Sequence, residues 1–171
     1  RRYRRLHPRG LDRPLERRPA VSARAEPGVI VLRGRKVVGG VAEGEALVTR
    51  QTISGWGGVH APSGTIIETR HELRGQSFKD KVLVFRGAKG SSGWSVVFHT
   101  ARLAGSAPKA MVFNEMTTKI ALGAVVMRAP AVTDLGRDPL DIIETGDWVR
   151  VDGDAGTVEV VKRQSAVKER P

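Results

Sequence analysis

Residues 82–98 read VLVFRGAKGSSGWSVVF, which sets a lysine, two glycines and two serines between an apolar run and a stretch of helical periodicity. That order predicts a strand, a tight loop and a helix N-terminus. A helix start presents free backbone N–H groups and a partial positive charge, both suited to an anionic ligand. Gly87 and Gly90 let the backbone approach such a ligand closely. Lys89 adds a full charge. Ser91 and Ser92 stand where a hydroxyl can cap the helix, touch the ligand or take a proton. The same residues also suit an ordinary capped helix start with no ligand.

Other residues able to do chemistry are scattered. Ser54, Gly57 and Gly58 lie with Trp56 in a glycine-rich stretch that either lines a pocket or packs as a rigid loop. His71 reads as an acid or ligand, or else as a surface or capping histidine. His99 falls inside the helical pattern, where packing is the default. Arg50 and Arg70 can grip a carboxylate through two parallel hydrogen bonds, or simply end solvated strands. Glu115 follows a strand and can face a cleft. His7, His60, His71 and His99 lack the i, i+4 spacing of a helical metal site, so no metal site is expected on this chain.

Composition narrows the function classes. There is no cysteine among the 171 residues, so disulfides and thiolate chemistry are excluded, and this chain alone cannot hold an iron–sulfur cluster. No apolar run reaches membrane-spanning length, and no membrane partner is expected. The net charge of +11 invites a nucleic-acid reading. Residues 1–28, however, hold nine arginines against three acids and so account for +6 of it. The remainder is mildly basic and only 5% of the chain is aromatic, which argues against a base-stacking surface.

The elements that must position these residues follow from periodicity. Residues 1–28, rich in Arg and Pro, read as a flexible extension, residues 29–163 as one folded domain and residues 164–171 as a flexible tail. Within the domain, VIVLRGRKVV and VAEGEALVTR read as strands, and a long loop closes on a short strand at residues 65–67. VLVF reads as a buried strand, and HELRGQSFKDK before it as a polar connection. In the following helix Trp94, Val97, Phe98 and Ala101 fall on one face, with Gly105 as its stop. KAMVF and APAVT are further strands around a short helix, and residues 146–161 form a hairpin. The fold class is mixed α/β, with one βαβ crossover on a barrel-like sheet.

Several separated blocks, GRKVVGGVAEGEALVTRQTISGWGGV, RHELRGQS, AKGSSGWSVV, APKAMVFNE and IALGAVVM, together resemble the small or swivel component of the aconitase X family over about residues 34–154. The resemblance implies a swivelling β/β/α domain that closes over a site whose iron–sulfur cluster belongs to a larger lyase subunit, a heterodimeric partner and a cytoplasmic enzyme. It implies a hydro-lyase active only with that subunit, and no cofactor on this chain. It implies that Ser91 is the proton-abstracting base. Lys89, Gly90 and Ser92 are then the expected binders of a small hydroxy-acid substrate, and Ser54, Gly57, Gly58 and His71 are the candidate loop contacts. In the related aconitases a serine in a GSS turn plays the same part. Two substrates are known for the group, cis-3-hydroxy-L-proline in bacterial members and mevalonate 5-phosphate in archaeal ones. The GSSGWS wording favours the proline derivative. The turns at residues 60–64 and 86–90 depart from the family's usual Asp-Pro-x-Thr-Gly and Pro-x-Gly-Lys-Gly forms but keep their glycines and Lys89. Three other readings compete. A phosphohistidine carrier would need a histidine where Ser91 and Ser92 stand. A nucleic-acid module would act through the arginine-rich extension. A non-catalytic swivel-fold binding module would have no need of the serine turn.

Overall fold

The structure is a computed structural model that describes residues 28–91 and 93–163; the expectations for the two terminal extensions and for Ser92 fall largely outside those residues. Ten strands and two helices follow in the order β1 (Val29–Arg33), β2 (Arg35–Val38), β3 (Val41–Ser54), β4 (Val59–His60), β5 (Thr65–Ile66), β6 (Val82–Lys89), α1 (Trp94–Leu103), β7 (Ala110–Phe113), α2 (Thr118–Met127), β8 (Ala131–Thr133), β9 (Trp148–Asp152) and β10 (Thr157–Val161). A short 3₁₀ turn covers Pro139–Asp141. Eight strands form one sheet in the order β1-β10-β9-β3-β6-β7-β8-β2, and β4 pairs with β5 beside it.

The long strand β3 joins two halves of that sheet. Its first residues pair antiparallel with β9, from Val41 opposite Asp152 to Glu45 opposite Trp148. Its later residues pair parallel with β6, from Ala46 opposite Val82 to Ser54 opposite Lys89. The two edge strands, β1 and β2, are separated in the chain by Gly34 alone, so the sheet curls until its edges meet. This closure is the barrel-like shape expected from the sequence, and it leaves little free edge for unwanted pairing.

Side chains alternate between two cores, as a strand period of two requires. On β6, Val82 and Val84 face the antiparallel half together with Val149, Val151, Val158 and Val160. Leu83 and Phe85 face the helices, with Trp94, Phe98 and Ile120. The result is three layers: antiparallel sheet, parallel sheet and helix pair. The expected helical face is the buried one, since Trp94, Val97, Phe98 and Ala101 are all buried.

Three expectations need correction. The apolar strand does not stop at Phe85; it continues through Arg86, Gly87, Ala88 and Lys89, because Gly87 and Ala88 pair with Thr52 and Ile53 of β3. The loop therefore begins only at Gly90. There are two parallel crossovers, β6–α1–β7 and β7–α2–β8, where one was expected. The connection before β6 is not merely polar, since Leu73 and Phe78 are buried in the helix-side core.

Candidate functional site

The carboxyl ends of the parallel strands gather the loops in which a site is expected, as parallel α/β strands commonly do. The loop after β3 carries Ser54, Trp56, Gly57 and Gly58. The turn after β6 carries Ser91, and the turn after β7 carries Glu115 and Thr117.

Ser91 is exposed at the mouth of its turn. Its Oγ accepts the Gly93 N–H at 3.3 Å, and its carbonyl accepts the Trp94 N–H at 3.2 Å. The hydroxyl oxygen thus already sits on a backbone donor, the group that would hold a negative oxygen. Gly90 has φ +88°, a left-handed conformation that favours glycine and aims the turn. The N-cap of α1 is Gly93, and among the described residues no side-chain cap bond is seen at that position. Ser92, expected as cap and substrate contact, lies outside the described residues.

The expected loop contacts divide. Ser54 is at the turn: its Oγ donates to the Trp56 carbonyl at 3.2 Å, and a Cβ on Gly90 would lie 3.4 Å from that oxygen. Gly58 closes the loop by donating to Gly55 O at 3.3 Å, and Gly57 turns it at φ +75°. The Trp56 ring, 74% exposed, passes within 3.9 Å of where a Cβ on Gly93 would sit. His71 does not join them. It is only 4% exposed, in the connection before β6; Nδ1 accepts the Leu73 N–H at 3.1 Å, and Nε2 has no partner. Burial holds its pKa below the ordinary value, against the opposing pull of Glu68 and Glu72.

Next to this turn is an open cleft of about 440 Å³. Arg50, Gln51 and Thr52 of β3 form one wall, Arg86 and Lys89 of β6 another, and Glu68 and Arg70 the rim. A one-residue bulge in β3 between Thr49 and Thr52 brings Arg50 and Gln51 there. The Glu72 carboxylate fastens the bulge, accepting from the Thr49 hydroxyl and from Arg50 N at 2.8 Å. The Thr49 hydrogen bond, outweighing burial, holds the Glu72 pKa below its usual value.

Four cations line this cleft against one carboxylate, and three are already paired. Lys89 is bound to Glu68. Arg86 Nε donates to Glu115 at 2.6 Å, and Arg50 donates to Asp141 at 2.7 Å and to Leu140 O at 2.8 Å. Arg70 has no carboxylate partner among the described residues. Lys89 is therefore not the free charge the sequence suggests. The cation that touches the serine turn is Lys119 of α2, whose Nζ donates to Gly90 O at 2.5 Å. Nothing in the spacing of the sequence points to it, because it comes from the next crossover.

The family model for the aconitase X swivel domain matches residues 31–160. The chain belongs to the aconitase X swivel-domain family. Among its relatives is the phosphomevalonate dehydratase small subunit of Thermococcus kodakarensis, 41% identical over 133 residues, covering 77% of this chain and 96% of that one. The corresponding small subunit of Methanosarcina acetivorans is 39% identical, covering 78% and 92%. The crystal structure of Thermococcus kodakaraensis aconitase X in its holo-form matches with a TM-score of 0.74 at 39% identity, covering 78% of this chain and 99% of that chain. The swivel member is thus a dehydratase small-subunit homologue. These relatives carry the name of the phosphorylated substrate, so they support the alternative reading above the preferred hydroxyproline one.

The residues of this aconitase X swivel chain do not fit an iron–sulfur cluster. There is no cysteine, and among the described residues no group of three or more His, Asp or Glu side chains is placed to hold a metal ion. No described helix is long and apolar enough to cross a membrane.

Proposed function

We propose that this chain is the small subunit of a dehydratase acting on a phosphorylated hydroxy acid of the mevalonate 5-phosphate kind, with Ser91 as the base and a separate large subunit carrying the cluster. The observation that carries the substrate reading is the cleft beside the serine turn, where four cations meet one carboxylate. Three of the four are held by Glu68, Glu115 and Asp141, and Arg70 has no carboxylate partner among the described residues, so Arg70 is the cation open to a substrate phosphate. The lining opposes cis-3-hydroxy-L-proline, whose ring ammonium cancels its carboxylate and would sit among cations.

The chemistry follows from the turn. Ser91 loses its hydroxyl proton to water, and the Gly93 N–H faces the resulting oxygen. That oxygen takes the proton α to the substrate carboxylate and becomes a hydroxyl again. The C–O bond at the adjacent carbon breaks, and a double bond forms between the two carbons. The departing hydroxide and the proton first released make water.

The experiment is turnover by the purified two-subunit complex with each substrate in parallel. Mevalonate 5-phosphate is expected to be dehydrated and cis-3-hydroxy-L-proline to be left intact. The reverse result overturns the substrate reading. Ser91→Ala is expected to lower kcat by at least about 10²-fold, the usual scale for a lost general base.

A further inference from the structure

We propose that Lys119 is the residue that makes the Ser91 alkoxide affordable, a positioning residue acting on the base from α2. The inference rests on Ser91 being the base. An alkoxide in a protein needs nearby positive charge as well as N–H donors. Lys89, the cation nearest to Ser91 in sequence, is held by Glu68 across the cleft. Arg86 and Arg50 are likewise committed to Glu115 and Asp141. Lys119 reaches the turn itself: its Nζ donates to the carbonyl of Gly90, the residue directly before Ser91, at 2.5 Å.

Two features show that Lys119 can act as a charge there. It has no carboxylate partner among the described residues, so its field is not cancelled by an ion pair. An ammonium has three donors, and the bond to Gly90 O, on the residue directly before Ser91, uses one of them. Its position is also well fixed. Lys119 is the second residue of α2, whose N-cap Thr117 accepts the Ile120 N–H at 3.4 Å. The same helix packs Gly123 directly against the Trp94 ring, and Trp94 begins the helix that follows Ser91. The base and its cation are therefore held by two helices locked to each other.

The test uses the complex of this chain with its large subunit and mevalonate 5-phosphate as substrate. Lys119→Met removes the charge, Lys119→Gln keeps a neutral donor, and Lys119→Arg keeps the charge. Met and Gln are each expected to lower kcat about 10²-fold or more, the scale seen on deleting one oxyanion donor. The ascending limb of kcat against pH should move to higher pH, because the alkoxide then forms less readily. Arg should restore most of the rate and return the limb. Gln activity within about threefold of wild type, or loss of rate with an unmoved limb, overturns the proposal. Ser91→Ala run alongside separates the two claims. If Ser91→Ala is active, the base assignment fails and Lys119 falls with it. If Ser91→Ala is inactive while Lys119→Gln is not, the role of Lys119 alone is overturned.

Discussion

At the residue scale the site is a contest over cations. Lys89, Arg86 and Arg50 each answer to a carboxylate of the same chain, whereas Arg70 answers to none among the described residues. Arg70 is thus the group with most to gain from a bound phosphate, and its planar fork suits one. Arg70→Gln in the two-subunit complex is expected to raise KM for mevalonate 5-phosphate at least about tenfold, because a charged hydrogen bond contributes about 1.5–3 kcal/mol. The melting temperature should not change, as Arg70 makes no side-chain hydrogen bond or ion pair among the described residues. Steady-state kinetics and a thermal melt check both halves. His71 lends itself to a different test. Burial lowers its pKa in the fold, so on acidification the unfolded chain takes up the proton first. Stability then rises with pH through this range and falls as pH drops below about 6.5. His71→Asn, which can keep an acceptor near the Leu73 N–H, should flatten the melting temperature between about pH 7.5 and 5. An unchanged slope would remove His71 from the account. The lowered carboxylates Glu72 and Asp147 titrate below this window and do not confuse the reading. The turn that carries Ser91 was legible in the sequence because its glycines, lysine and serine are contiguous. The pairing of Lys89 and the approach of Lys119 were not, since each depends on a residue 21 or 29 positions away.

At the element scale, the two helices and the parallel strands act as one mount. Trp94 stacks on Phe98 with ring centroids 3.9 Å apart, and its Nε1 donates to Ile53 O on β3 at 3.1 Å. Across from it, Gly123 leaves the space that the Trp94 ring fills, and a Cβ there would run into ring carbon Cζ3. Gly123→Ala gains helix propensity but overpacks this contact, so a net loss of about 1–3 kcal/mol is expected. Chemical denaturation measures it, and a stabilised variant would contradict the packing described. The helical face of α1 was readable because its apolar residues repeat at 3.6. The extension of β6 through residues 86–89 was not. Arg, Gly and Lys are poor strand signals, and the pairing with β3 overrides them. The bulge at Arg50 was equally hidden, for it depends on Glu72 capturing the Thr49 hydroxyl and the freed backbone N–H groups.

At the scale of the whole molecule, the layered architecture explains where the site can be. The antiparallel half closes one core, anchored at its end by Asp147. Burial pushes that carboxyl up, but hydrogen bonds from Lys162 at 2.8 Å and from the Glu144 and Arg163 N–H groups more than offset it and hold the pKa low. The parallel half turns its carboxyl ends, and with them Ser91 and the cationic cleft, toward one end of the molecule. The mixed α/β class, its strands and a barrel-like sheet could be read from the sequence, whereas the strand order could not, because it places β1 and β2, neighbours in sequence, at opposite ends. Nor could the charge of the cleft be read, since its four cations come from three separate segments of a domain that is only mildly basic on average. The central claim is that Ser91 dehydrates a phosphorylated hydroxy acid in a two-subunit enzyme. The most direct measurement is the rate of mevalonate 5-phosphate consumption by the complex carrying wild-type chain or Ser91→Ala, at matched cluster content. The account predicts turnover by the first and at least about 10²-fold less by the second. Equal rates would contradict the assignment of the base, and no turnover by the wild-type complex would contradict the substrate.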